Sequence, residues 1–127
     1  MKFLYLALGG SIGAISRYLI TLFAIRNFNN QIYSGTMLVN VVGSFAIGLA
    51  FVILGREQIP PNLKIVLFVG VFGSFTTFSS FMFEALDLAR FGDFKAAMIY
   101  LFMTNLLGLI AVVMGYELGK YVESYLR

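Results

Sequence analysis

The chain has 127 residues, of which 60% are hydrophobic and 12% charged, about half the charged fraction usual in soluble domains. It contains no cysteine and no histidine, which excludes disulfides and thiolate metal sites and removes the commonest general base and transition-metal ligand. The net charge of +3 comes from nine basic residues scattered along the chain, so nothing suggests nucleic-acid binding.

A membrane helix needs about 20 mainly apolar residues to cross the hydrocarbon layer, and four stretches qualify. The reading is an all-α integral membrane protein, a single four-helix domain over residues 1–127. The first span, about 3–25, is too long for a secretion signal, lacks a convincing cleavage site and carries Arg17, so it is read as a retained membrane helix. It ends in Arg26-Asn27-Phe28-Asn29-Asn30-Gln31. The second, about 33–54, stops at Gly55-Arg56-Glu57-Gln58-Ile59-Pro60-Pro61-Asn62, because proline cannot continue a helical hydrogen-bond ladder. The third covers about 63–88 and the fourth about 94–119, followed by a short charged tail. Four spans put both termini on one side. Lys2, Arg56, Lys64, Lys120 and Arg127 then face Arg26, Arg90 and Lys95 across the membrane. Five against three is a weak positive-inside bias, compatible with insertion either way up.

Small residues recur at intervals of four: Gly9 and Gly13, Gly10 and Ala14, Ser44 and Gly48, Gly115 and Gly119. This spacing lets helix backbones approach closely, either within the chain or between two copies. No internal repeat is evident, so any inverted symmetry needs a second copy.

The most informative segment is Gly70-Val71-Phe72-Gly73-Ser74-Phe75-Thr76-Thr77-Phe78-Ser79-Ser80-Phe81-Met82-Phe83-Glu84. Two glycines and a hydroxyl cluster stand where a lipid-facing helix would carry Leu, Ile and Val. They predict a break in the third helix, which at membrane depth is tolerated only inside protein or beside a wet cavity. Carbonyls freed there suit a hard cation such as Na⁺. Phe75, Phe78 and Phe81 fall on one side if the segment stays helical; packing explains most such rings, although a positive ring edge can face an anion.

Asn40, mid-span in the second helix, either makes an interhelical hydrogen bond or offers N–H donors to an anion. Tyr100 and Thr104 share a face of the fourth helix, beside Asn105, and either form a hydroxyl ladder or bond back to their own helix. Arg17, Glu84 and Asp87 are costly in lipid and are expected to face an interior or wet cavity; Arg17 can alternatively snorkel.

Together these segments resemble the Fluc (CrcB) family of bacterial fluoride channels. The motifs are Gly9-Gly10-Ser11-Ile12-Gly13-Ala14-Ile15-Ser16-Arg17-Tyr18, then Gly35-Thr36, Asn40 and Gly43-Ser44, then Gly73 to Phe81 with Glu84, in the family's order. The resemblance implies an antiparallel, dual-topology homodimer in the bacterial inner membrane, with two pores exporting fluoride passively. By the same resemblance, Phe78 and Phe81 meet fluoride with their ring edges, and Asn40 donates beside them. Ser79, Ser80, Tyr100 and Thr104 form a polar track. Arg17 and Glu84 lie in vestibules, and carbonyls of Gly73 and Thr76 from both subunits hold a structural Na⁺. The chain departs from the family pattern at Ser80, Met82 and Gly108, where threonine, serine and a further hydroxyl are more usual.

Fluoride is small and strongly hydrated, so its path must replace water with donors that do not trap it. Asn, Ser, Thr and Tyr meet that need without fixed charge. A four-helix multidrug exporter would require a carboxylate on the first helix, which carries Arg17 and no acid. An assembly subunit would leave the hydroxyl cluster without purpose. No nucleophile–base set exists for an enzyme, and no protein partner beyond a second copy is implied.

Overall fold

The computed structural model describes residues 2–28, 32–54 and 59–125. Asn29–Gln31, Gly55–Gln58 and the basic residues Arg56 and Arg127 used in the charge count lie outside the described residues. The described residues are helical almost throughout: α1 (Lys2–Asn27), α2 (Ile32–Leu54), α3 (residues 61–75), α4 (Phe78–Arg90) and α5 (Phe94–Tyr125). Four stretches are long and apolar enough to cross a membrane, the third of them made of α3 and α4 in series. The chain is thus a multi-pass membrane protein by the length and apolarity of its helices.

Local chemistry sets the helix ends. Pro61 opens α3 at its first position, where a missing N–H does no harm, and the Pro60 carbonyl accepts from Leu63 N at 2.9 Å. From Ile65 to Phe72 the helix widens into π geometry, a rare form that often marks functional segments. A single α turn, Gly73–Phe75, follows. Then Thr76 and Thr77 are both extended, at φ −80°, ψ 159° and φ −147°, ψ 120°. Thr77 caps α4 by accepting from Ser80 N at 3.3 Å. Between α4 and α5 the chain reverses at Gly92, whose φ of 89° suits a residue without a Cβ. Asp93 Oδ1 accepts from Ala96 N at 2.9 Å and starts α5.

Two close helix contacts organise the bundle. α2 lies along α5, and a Cβ on Gly115 would run into the Phe45 carbonyl oxygen. α1 lies along α3, where a Cβ on Gly13 would meet the Val71 carbonyl oxygen. These small residues therefore serve packing within the chain, which the sequence left open. The outer face of α1 shows Leu8, Ile12, Ile15, Leu19 and Phe23 exposed, spaced three and four apart as a lipid-facing stripe should be. One buried cluster lies just past the break, where Phe81, Ala85 and Tyr100 pack with Tyr33, Met37, Leu88 and Leu101, and Val39 and Ala24 are fully buried elsewhere in the bundle.

Candidate functional site

The break exists because α2 holds it open. Asn40 Nδ2 donates to the Thr77 carbonyl and Thr77 N donates to Asn40 Oδ1, each at 2.8 Å. One side chain thus pairs the N–H of a residue that has left the helix and adds a second hydrogen bond to its carbonyl, which also caps the first turn of α4. Unpaired, that N–H would be expensive at membrane depth.

The clamp has a second consequence. In a continued α-helix, Thr77 N would donate to the Gly73 carbonyl, four residues back; here it goes to Asn40. Ser80 N, which would serve the Thr76 carbonyl, goes instead to Thr77 Oγ1. Gly73 and Thr76 thereby keep carbonyl oxygens without their usual helical donors. These are neutral, hard oxygen ligands of the kind alkali and alkaline-earth ions prefer. Among the described residues no three carboxylates, histidines or cysteines gather to hold a metal.

Beside the break runs a groove of about 470 Å³, lined on α2 by Asn40, Gly43, Ser44 and Ile47 and on α5 by Thr104, Asn105, Gly108, Leu109 and Val112. Thr76, Thr77, Phe78 and Phe81 form its remaining wall. Phe78 is 71% exposed and Phe81 only 3%. Their rings meet edge to face with centroids 6.3 Å apart, and Phe81 meets Tyr100 edge to face at 5.1 Å. Phe75 does not continue this row. It precedes the extended residues, is buried, and sits where a Cβ on Gly43 would touch its ring. The condition for three rings on one side, an unbroken helix, is not met.

On the far side of Thr77 lies a smaller cavity of about 290 Å³, lined by Arg17, Tyr18, Thr21, Thr36, Ser80 and Glu84 among others. Glu84 is half-buried there. Its two carboxylate oxygens accept from Thr36 Oγ1 and from Tyr100 OH, each at 2.7 Å. Charge-assisted hydrogen bonds of this length are among the stronger neutralising contacts available to a carboxylate in lipid. Arg17 lines the same cavity. Ser79 and Ser80 are exposed at the start of α4, and Ser80 Oγ receives a hydrogen bond from Thr77 Oγ1 at 3.0 Å.

Of the sequence-derived residues, Asn40, Phe78, Phe81 and Thr104 meet around the larger groove, while Arg17, Ser80 and Glu84 meet around the smaller cavity. Tyr100 belongs to neither lining but ties Phe81 to Glu84. Neither Tyr100 nor Thr104 bonds back to its own helix; Asn105 does, to the Leu101 carbonyl at 2.7 Å. Thr36 and Thr77 are additions. Thr36 precedes Asn40 by one helical turn, and Thr77 stands three before Ser80 in capping position; both spacings were present in the sequence.

Residues 4–116 match the family described as CrcB-like protein, Camphor Resistance (CrcB). The chain belongs to the CrcB family. Similar proteins include one from Parabacteroides distasonis, 37% identical over 127 residues that cover all of this chain and 99% of the relative. Another, from a Hydrogenobaculum species, is 38% identical over 120 residues, covering 94% of this chain and 98% of its own. A third, from a Shewanella species, is 43% identical over 115 residues, covering 91% of this chain and 93% of its own. All three are named fluoride-specific ion channel FluC, a channel and not an enzyme. In CrcB terms the matched region takes in the whole of the break, both cavities and the glycine contacts.

Proposed function

We propose that this chain is a fluoride-selective passive channel that lets cytoplasmic fluoride leave a bacterial cell down its electrochemical gradient. The observation that carries the reading is the broken third span, whose extended Thr76–Thr77 opens onto a groove of neutral donors and phenylalanine rings. The relatives' shared name supports the choice of ion.

Fluoride reaching the groove exchanges hydration for hydroxyl and amide donors. Asn40 keeps one amide hydrogen beyond the one given to Thr77, and Phe78 and Phe81 offer the positive edges of their rings. Among the described residues no Lys or Arg lines the larger groove, which lets the ion depart again. Ser79, Ser80, Tyr100 and Thr104 extend the polar track. Arg17 and Glu84 belong to the vestibule reading: Arg17 attracts the anion, while Thr36 and Tyr100 blunt the charge on Glu84. A negative-inside potential drives one charge outward by about 2.3 kcal/mol per 100 mV, so neither ATP nor a proton relay is required.

The functional unit we propose is an antiparallel, dual-topology homodimer with two pores. The exposed hydroxyls of Ser79 and Ser80 and the exposed Gly73 backbone would be poorly tolerated against lipid, and a second copy would cover them. The Gly73 and Thr76 carbonyls of two such chains would supply four neutral oxygens for a structural Na⁺ at the centre.

The test is fluoride efflux from proteoliposomes followed with an ion-selective electrode. Potassium and valinomycin supply electrical balance, with no pH gradient or ATP, beside chloride-loaded controls. Rapid fluoride release with retained chloride supports the channel. Retention of fluoride by folded, reconstituted protein overturns it.

A further inference from the structure

The two close helix contacts of the bundle differ in their spacing. Between α2 and α5 both sides count by four: Cβ atoms built on Gly115 and Gly119 would meet the carbonyl oxygens of Phe45 and Leu49. Between α1 and α3 they do not. A Cβ on Gly9 would stand 2.7 Å from the Val66 oxygen, and one on Gly13 would run into the Val71 oxygen. Four residues of α1 are thus matched by five of α3.

An α-helix cannot make that match. Five residues turn it by about 500°, which would point the Val71 carbonyl about 140° away from that of Val66. A π-helix bonds five residues back and brings positions five apart onto one face. Ile65–Phe72, which holds both valines, is the segment with that geometry. The wide turn therefore takes up one extra residue between two fixed contacts with α1, and the effect falls downstream. The Cβ built on Gly13 would also stand 3.0 Å from Phe75 N, and one on Gly10 3.3 Å from Ser74 Oγ. Phe75 is the last helical residue before the extended Thr76–Thr77. So α1 touches the chain directly ahead of the break, while Asn40 of α2 holds Thr77 beyond it. In α geometry, everything after Val71 would turn by one residue, about 100°, against α1 and α2, and Thr77 would leave Asn40.

We infer that Gly9 and Gly13 are positioning residues for the pore: they seat the Val66 and Val71 carbonyls, and the π turn absorbs the extra residue between them, so that Thr76–Thr77 meets Asn40 in register. Neither glycine lines the groove or the smaller cavity, so both act through the break. The link to conduction rests on the proposed channel reading; the link to the Asn40–Thr77 contact does not.

The experiment follows fluoride efflux from proteoliposomes, and amide exchange across residues 73–80, in the native chain and three variants, each checked for a monodisperse peak in detergent. Deletion of Val69, whose side chain is exposed, leaves Val66 and Val71 four apart, and an ordinary α-helix then keeps both contacts. Efflux stays within about threefold of native, with Thr77 exchange unchanged. Insertion of one alanine after Phe68 adds a second residue that the turn cannot take up. It slows efflux by about tenfold or more, and the Thr77 amide loses protection. Gly13→Ala drives a methyl into the Val71 carbonyl and displaces the same turn, with about a tenfold loss of efflux and the same rise in Thr77 exchange. Equal slowing by the deletion and the insertion overturns the inference, because the wide turn would then not be a spacer. Native efflux in Gly13→Ala overturns it as well, as does lost efflux there with Thr77 exchange unchanged, which would make Gly13 a packing position only. If Gly13→Ala does not fold, the deletion and the insertion decide. A native chain that releases no fluoride sinks the channel reading instead, and the exchange data then decide the register on their own.

Discussion

Replacing Asn40 by leucine keeps the approximate volume and removes both 2.8 Å contacts to Thr77. The Thr77 N–H then stands unpaired at membrane depth, while its C=O keeps the first intrahelical bond of α4. At about 1–3 kcal/mol for an orphaned donor, the open break rises by that much relative to a form that needs no clamp. Such a form is available. If the helix rewinds through Thr76 and Thr77, Thr77 N–H returns to the Gly73 carbonyl and the orphan is gone. Even the lower figure, about 1 kcal/mol, moves the balance between open and rewound forms about fivefold. Overall stability falls by no more than about 1 kcal/mol, because membrane helices usually find substitute partners. Asn40→Leu is therefore expected to stay folded while losing fluoride efflux, with the Thr77 amide changing its hydrogen-exchange protection. Asn40→Asp keeps an acceptor for Thr77 N, loses the donor to its carbonyl and adds negative charge beside the ion path, so it blocks conduction as well. Native efflux in Asn40→Leu would refute the clamp. Lost efflux with unchanged exchange across residues 73–80 would also refute it, leaving Asn40 to act on the ion alone.

Phe78→Ile and Phe81→Ile each remove a ring edge from the groove, and both should abolish efflux while leaving a folded protein by size-exclusion chromatography; normal flux in both defeats the aromatic assignment. Arg17→Ala should lower flux most at low ionic strength, where steering is unscreened, and indifference to salt would leave Arg17 without a steering role. Gly115→Val drives a side chain into the Phe45 carbonyl, so the α2–α5 pair must separate. A loss of about 2 kcal/mol or more in unfolding free energy, of the size overpacking produces, is expected by denaturant titration in detergent, whereas Gly92→Ala, with open space around it but a φ of 89°, should cost only about 1 kcal/mol.

The parts of this structure that depend on composition were legible in the sequence. Four apolar stretches need lipid whatever their tertiary contacts, and a run of hydroxyls between Gly70 and Glu84 cannot sit comfortably in an uninterrupted lipid-facing helix. The point of interruption was not legible, because it is set by Asn40, 37 residues earlier. Nothing local distinguishes Thr76–Thr77 from Ser79–Ser80 as the extended pair. The π geometry of Ile65–Phe72 was hidden for a similar reason: an unbroken apolar run reads alike for either helix width. Glycine spacing announced close contacts but not their partners, which needed the pairing of α1 with α3 and of α2 with α5. Glu84 was recognisable as a costly charge, whereas its donors Thr36 and Tyr100 lie 48 and 16 residues away.

The central claim, that the groove carries fluoride as a free ion, is tested most directly by voltage-clamped current through reconstituted protein. Chloride is kept equal on both sides and fluoride is varied on one. The account predicts a current without added ATP or pH gradient, whose zero-current voltage moves with the fluoride ratio as the Nernst relation requires for one negative charge. A zero-current voltage that ignores fluoride, or that follows chloride when chloride is varied instead, would contradict it.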